Sequence, residues 1–232
     1  MKKNIVAIIL ARGGSKGIPK KNLKKICGKP LVSWTIEHAL QTKEVSSIWL
    51  SSDSDQILKI GKNFGINVIK RPKNISKDSS TSVSGWIHAI NIIEKNTKID
   101  LVVALQPTSP IRESKDIKNG INDFLKNKYD SMFSGAEIGD FLIWKKQNNT
   151  LKSVNYDFKN RLRRQEINNE YVENGSFYIF KPNIIKKFKN QLGGKIGISL
   201  MEFWKSFEID EKNDIEFCET LMNHYLLKKR QK

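Results

Sequence analysis

The chain has 232 residues, with 41 Lys and Arg against 24 Asp and Glu, for a formal net charge of +17. A hydrophobic fraction of 38% and a mean hydropathy of −0.48 exclude a membrane-embedded chain, since no apolar run approaches the ~20 residues a spanning helix needs. Two cysteines, Cys27 and Cys218, exclude a disulfide framework and a paired-cysteine metal site, and point to a reducing cytoplasm. The length suits one domain over residues 1–232 with its own core. The positive charge alone does not choose a partner. It suits nucleic-acid phosphates, an enzyme of anionic substrates, or a solvated lysine-rich surface.

The N-terminus begins like a signal peptide, but its apolar run Ile5–Ala11 is short and enters Arg12-Gly13-Gly14-Ser15, a poor cleavage context. A buried first strand over Ile5–Leu10, continuously apolar, is expected instead. Pro30 opens a helix with Leu31, Trp34, Ala39 and Leu40 on one side. Val45–Ser51 reads as a strand, and Ser52–Asp55 offers caps for a helix with Ile57, Leu58, Ile60 and Phe64 inward. Ile66–Ile69 is a short strand, Ser80–Glu94 a helix and Leu101–Leu105 a strong strand stopped by Gln106-Pro107-Thr108-Ser109-Pro110. A helix over Ser114–Leu125 and a strand near Ser131 follow. Residues 135–173 break the pattern and read as an arm or a hairpin insertion, apolar at Phe141–Trp144 and basic towards Arg161, Arg163 and Arg164. Asn174–Phe180 returns to the core, Phe207–Asp210 reads as a short last strand, and Ile215–Leu227 as a final helix. Lys228–Lys232 is a frayed basic tail. Such alternation implies an α/β fold, a mostly parallel sheet with helices on both faces. Ligands of such sheets bind outside the carboxyl ends of the strands.

The segment after the first strand, Leu10 to Leu23, holds the densest chemistry. Gly13, Gly14 and Gly17 let backbone N–H groups approach an anion, while Arg12, Lys16, Lys20 and Lys21 neutralise it and Asn22 adds an amide. It matches neither GxxxxGK[ST] nor GxGxxG. In Glu208-Ile209-Asp210, alternation along a strand would send both carboxylates to one face, a pair suited to Mg²⁺. The bare pattern equally suits a solvated strand end. Asp53 fits either a helix cap or a place facing a ligand. Trp34 and Trp86 fall on apolar helix stripes and read as core. No Ser or Cys has the support of a hydrolytic triad.

ILARGGSKGIPKKNL resembles the signature loop of the CMP-acylneuraminate synthetases, the sialic-acid-activating cytidylyltransferases. The resemblance runs on through Ser51-Ser52-Asp53, Arg71-Pro72, Asp78–Ser82, Leu105–Pro110, Arg164-Gln165, Glu173–Ser176 and Phe207–Asp210. It implies a Rossmann-like nucleotidyltransferase fold and a homodimer in which the 135–173 arm reaches its partner's site. It implies that Arg12, Gly13, Gly14, Ser15, Lys16, Lys21 and Asn22 hold the triphosphate of CTP, with Arg12, Lys21 and Asp210 in the reaction itself. Arg71, Ser80 and Ser82 would recognise cytosine and ribose, and Gln106, Arg164 and Tyr178 the sugar acid. Glu208 and Asp210 would carry Mg²⁺, although the first of these positions is commonly Asp in that family. The expected reaction joins CTP and a nonulosonic acid into a CMP-sugar with release of pyrophosphate. N-acylneuraminate is the first expectation for the acid, with legionaminate, pseudaminate and 3-deoxy-octulosonate as alternatives. The segments Gln106–Arg112 and Ser134–Arg164 would decide among them. A nucleic-acid-binding module is the alternative of a different class. It needs aromatic residues interleaved with basic ones, whereas here most aromatics fall on apolar stripes, so neither nucleic acid nor membrane is expected as a partner.

Overall fold

The computed structural model describes residues 3–139, 141–163 and 170–227. Its centre is a seven-stranded sheet. The strand β1 (Ile5–Leu10) lies in the middle, buried on both faces as its unbroken apolar run requires. A small hairpin, β2 (Lys25–Ile26) and β3 (Lys29–Pro30), follows, then α1 (Leu31–Leu40), β4 (Ser47–Ser52), α2 (Asp55–Asn63) and β5 (Asn67–Lys70). Next come α3 (Ser82–Ile93), β6 (Leu101–Leu105), α4 (Ser114–Asn127) and β7 (Ser131–Glu137). The remaining elements are β8 (Trp144–Gln147), β9 (Thr150–Ser153), β10 (Tyr171–Phe180), α5 (Pro182–Phe188), β11 (Ile196–Leu200) and α6 (Lys212–Leu221). The sheet order is β11-β7-β10-β6-β1-β4-β5. β5, β4, β1 and β6 run parallel, β10 is antiparallel to β6 and β7, and β11 is parallel to β7.

Period-2 alternation divides the core. Ile5, Ala7 and Ile9 face α1, α2 and α4 through Val32, Ile36, Ile57, Ile117 and Phe124. Val6 and Ile8 face α3 and α5 through Trp86, Ile90 and Ile185. A third, smaller cluster joins Ile18 and Ile26 to Trp34, Ile209, Cys218 and Met222. It packs the loop after β1 onto α6, and so fixes where that loop sits.

The parallel half follows the sequence reading closely; the C-terminal half corrects it. Phe207–Asp210 belongs to no sheet. It is an extended segment after a 3₁₀ turn at Phe203–Ser206, and among the described residues its ladder-like bond runs from Ile209 N to Thr108 O at 2.7 Å. The last strand is β11, which the sequence reading missed because glycine interrupts it. Gly197 lies against the Tyr129 ring, where a Cβ would come within 2.5 Å of ring carbons. Helix α5 was also missed, and β10 starts at Tyr171, before Asn174. The final helix begins at Lys212 and ends in a π turn over Met222–Leu227. Leu40, expected inward, is 48% exposed, because α1 ends there.

Within 135–173, the outer end of β7 pairs with the start of β10, Glu137 facing Tyr171 and Gly135 facing Glu173. The β8–β9 hairpin projects beyond them, with Phe141, Trp144, Leu151 and Phe158 exposed. The basic tail at Lys228–Lys232 lies outside the described residues.

Candidate active site

The carboxyl ends of β1, β5 and β6 open into a cleft of about 380 Å³. Arg12, Gly14, Ser15, Lys21 and Asn22 line it from the loop after β1, and Arg71, Ser80 and Ser82 from the segment between β5 and α3. Gln106 and Thr108 line it from the turn after β6, with Glu208 and Asp210 from the extended C-terminal segment. Residues scattered over the whole chain thus meet at the end of the sheet where α/β proteins place ligands.

Specific contacts shape the loop. Gly13 N donates to Asp53 Oδ1 at 2.8 Å, and a Cβ on Gly13 would lie 2.9 Å from Ser54 Cβ. Asp53 therefore has neither role left open by the sequence; it anchors the loop from the end of β4, and the Gly13 N–H is already taken. Asn22, buried, donates from Nδ2 to Arg12 O at 3.0 Å, so its amide holds the turn that carries Arg12. Lys21 Nζ donates to Ile209 O at 2.9 Å and to Asp210 Oδ1 at 2.7 Å. At Gly17 an added Cβ would lie 2.4 Å from the Asp210 carbonyl oxygen, which leaves room for glycine alone. Arg12 pairs with Asp78, and Lys16, with 81% of its side chain exposed, stands 3.9 Å from the same carboxylate outside the cleft lining.

The second wall carries Arg71, buried and bonded from Nε to Ser76 Oγ at 2.9 Å. Burial lowers its pKa, Asp53 opposes the shift and Arg12 adds to it. Ser80 Oγ accepts from Lys77 N at 3.1 Å, which folds its own loop. Ser82, the first residue of α3, lines the cleft, so the helix dipole favours negative charge there.

Opposite lie the acids. Glu208 accepts from Thr108 Oγ1 at 3.0 Å. Burial raises its pKa first, and the neighbouring Asp210 carboxylate raises it further. A partly buried Glu208 carboxyl whose ionisation a neighbouring carboxylate opposes makes a site that a divalent cation would relieve. Among the described residues, no group of three or more His, Cys, Asp and Glu forms a metal cage. The fit is to an ion that keeps waters and ligand oxygens in its shell, as Mg²⁺ does.

On the sugar-side candidates the structure is mixed. Gln106 lines the cleft, its N–H donating to Ser176 O at 3.1 Å. Tyr178 packs in the core against Trp86, with ring centroids 5.9 Å apart, and its hydroxyl donates to the Glu173 carboxylate. Burial and then that bond push its pKa up. Tyr178 is therefore not among the residues that line the cleft. Arg164 lies outside the described residues. Arg112, in a segment expected to read the sugar, is fully buried and cannot touch a ligand. Its Nη1 donates to Ser176 O at 2.6 Å and Ser176 Oγ at 3.1 Å, its Nη2 to Thr35 Oγ1 at 2.9 Å, and burial lowers its pKa to about 10. It props the Gln106 turn from beneath. The sequence reading also missed Thr108, for which two flanking prolines were the available signal, and Asp78, which had none beyond its place in the motif.

Comparison with known proteins agrees with this geometry. A family model described as Cytidylyltransferase matches residues 6–232. The N-acylneuraminate cytidylyltransferase of Oncorhynchus mykiss is 35% identical over 219 residues, covering 93% of this chain and 49% of that protein. The chain spans about half the length of the first relatives it matches. The pseudaminic acid cytidylyltransferase of Campylobacter jejuni is 32% identical over 179 residues, 75% of this chain and 76% of that protein. Among solved structures, CMP:2-keto-3-deoxy-manno-octonic acid synthetase complexed with CTP superposes with a TM-score of 0.72 at 15% identity, covering 97% of this chain and 100% of that one. That likeness shows a shared Rossmann-like nucleotidyltransferase fold.

Proposed function

The chain belongs to the cytidylyltransferase family, and from that premise we propose that it activates a nonulosonic acid of the sialic type with CTP, giving the CMP-sugar and pyrophosphate. The observation that carries this reading is the convergence of Arg12, Lys21 and Arg71 with Glu208 and Asp210 on one cleft at the strands' carboxyl ends. N-acylneuraminate is the first candidate for the acid. Pseudaminate, legionaminate and 3-deoxy-octulosonate are the alternatives, the first of them favoured by the Campylobacter jejuni relative's name.

In this reading the anomeric hydroxyl attacks the α-phosphorus, the bond to the β-phosphate oxygen breaks, and pyrophosphate leaves in line. The protein places the reactants and neutralises charge. Arg12, Lys16 and Lys21, with the N–H groups of Gly14 and Ser15, take the charge that grows on the leaving pyrophosphate. Asn22 and Asp53 keep the loop in shape for that task. Arg71, Ser80 and Ser82 receive the cytosine and ribose, and Gln106 and Arg164 hold the sugar acid. A Mg²⁺ ion on Asp210 and Glu208 would supply further positive charge at the phosphates. The cytoplasm is the proposed compartment.

The test is pyrophosphate release from CTP across the four sugar acids, with and without Mg²⁺. Arg12→Ala and Asp210→Ala should each lower kcat/KM by about 10²- to 10³-fold, with far-UV circular dichroism unchanged. Near-normal turnover in either variant would remove that residue from the mechanism. Release that needs neither sugar nor metal would sink the reading.

We propose a homodimer as well, in which the 135–173 arm covers its exposed apolar residues on the partner and brings Arg161, Arg163 and Arg164 towards the partner's cleft. Exposed Phe141, Trp144, Leu151 and Phe158 support it. Sedimentation that finds a fully active monomer would end it.

A further inference from the structure

The cations of the phosphate loop face an acid that the proposed chemistry does not use. Asp78 lies between β5 and α3, in the same cleft lining as Arg12. One carboxylate oxygen accepts from Arg12 Nη1, and the other lies 3.9 Å from Lys16 Nζ. The loop bearing Asp78 is held in place by bonds within its own segment. Ser76 Oγ takes the Arg71 Nε–H at 2.9 Å, and Ser80 N donates to Lys77 O at 3.0 Å. The Arg12 and Asp78 side chains are 34% and 43% exposed, so the pair is weak and exchangeable. Negative charge has thus been placed against the cations that a triphosphate needs.

We infer that Asp78 is an internal competitor for the triphosphate, and that it sets how strongly the site prefers CTP to CMP. The inference rests on the reading of Arg12 as a triphosphate ligand. Any ligand that uses Arg12 must first displace the Asp78 carboxylate and then tolerate it nearby. CTP carries enough charge on its β- and γ-phosphates to do so. CMP, with only the phosphate next to the nucleoside, leaves the Arg12–Asp78 pair closed. After transfer the pyrophosphate departs, and the returning carboxylate closes the pair behind a product that keeps a single phosphate.

The test is calorimetric titration of CTP and of CMP into the unsubstituted full chain, Asp78→Asn and Asp78→Glu, with Mg²⁺ present at low salt. Asp78→Asn should bind CTP about three- to tenfold tighter and CMP within about twofold of the unsubstituted chain. Asp78→Glu should restore the original CTP affinity, and added salt should shrink the gain. Melting curves of all three should coincide, since the pair is exposed. CTP affinity unchanged or weakened in Asp78→Asn would overturn the inference, weakening because Asp78 would then contact the ligand or its metal. Equal tightening of CTP and CMP would overturn it too. If none of the three binds CTP, the cytidylyltransferase reading falls and takes this inference with it. CTP binding by the unsubstituted chain without a gain in Asp78→Asn fells this inference alone.

Discussion

Two groups of ion pairs lie close together in this molecule and are built in opposite ways. At the cleft, Arg12 pairs with Asp78 and Lys21 with Asp210, and both acids stay in contact with solvent. Behind it, Lys205 is fully buried and lies 2.9 Å from Glu113, 2.9 Å from Asp116 and 3.0 Å from Glu202. Burial works against the Lys205 charge, but its three carboxylates outweigh that and hold its pKa above the usual lysine range. Both groups set a cation against carboxylates; the difference is access to water. A pair that water reaches can exchange its partner for a ligand at small cost. A buried one can exchange with nothing, so it serves as a fixed joint. Here the joint ties the turn before Glu208 to the start of α4, and so sets the place of the acids it does not touch.

The comparison breaks most visibly at Lys205. Replacing it with Met leaves Asp116 buried without its partner, and should lower unfolding free energy by about 3–5 kcal/mol, as read from urea transitions. Activity per folded molecule should stay within a few-fold. A loss of turnover without a loss of stability would move Lys205 from joint to site. The pH dependence sharpens the same point. Because Lys205 is held above its unfolded value, its contribution is full below the ordinary lysine pKa and is lost as pH rises through the raised one. Urea midpoints should therefore fall at alkaline pH in the unsubstituted chain, and that component should be missing in Lys205→Met. The smallest effect is expected where the two groups meet. Thr108→Val removes one hydrogen bond to Glu208, worth roughly 0.5–1.5 kcal/mol. It should lower kcat/KM by about two- to tenfold, with a urea midpoint lowered by no more than that bond's worth and a higher Mg²⁺ requirement.

What the sequence disclosed follows from the range of the interactions. β1, β4 and β6 are legible because a strand buried on both faces must be continuously apolar, whoever its neighbours are. The anion loop is legible because glycines and cations cluster within one short segment. β11 was hidden because its glycine, Gly197, answers to Tyr129, a residue from another part of the chain. For Phe207–Asp210 the alternation was right and the pairing wrong. Ile209 is buried while Glu208 and Asp210 line the cleft, yet the backbone partner is the Thr108 carbonyl in place of a strand. Asp53, Asp78 and Arg112 take their roles from contacts across long sequence separations, 40 residues for Asp53 and Gly13 and 66 for Asp78 and Arg12. Arg112 was legible as a charge but not as a depth.

The contact of Gly17 and Lys21 with the Asp210 segment has a consequence in time. The Lys21–Asp210 bond spans 189 residues. A chain emerging from the ribosome N-terminus first can assemble β1, β4, β5 and β6 as a sheet while the loop between β1 and β2 still lacks the wall it closes against. The cluster of Ile18, Ile26 and Trp34 waits likewise for Ile209 and Cys218. The cleft is therefore among the last parts to form, although its most recognisable segment is among the first to be made. A nascent chain stalled before Phe207 would carry all seven strands of the sheet and no finished place for an anion.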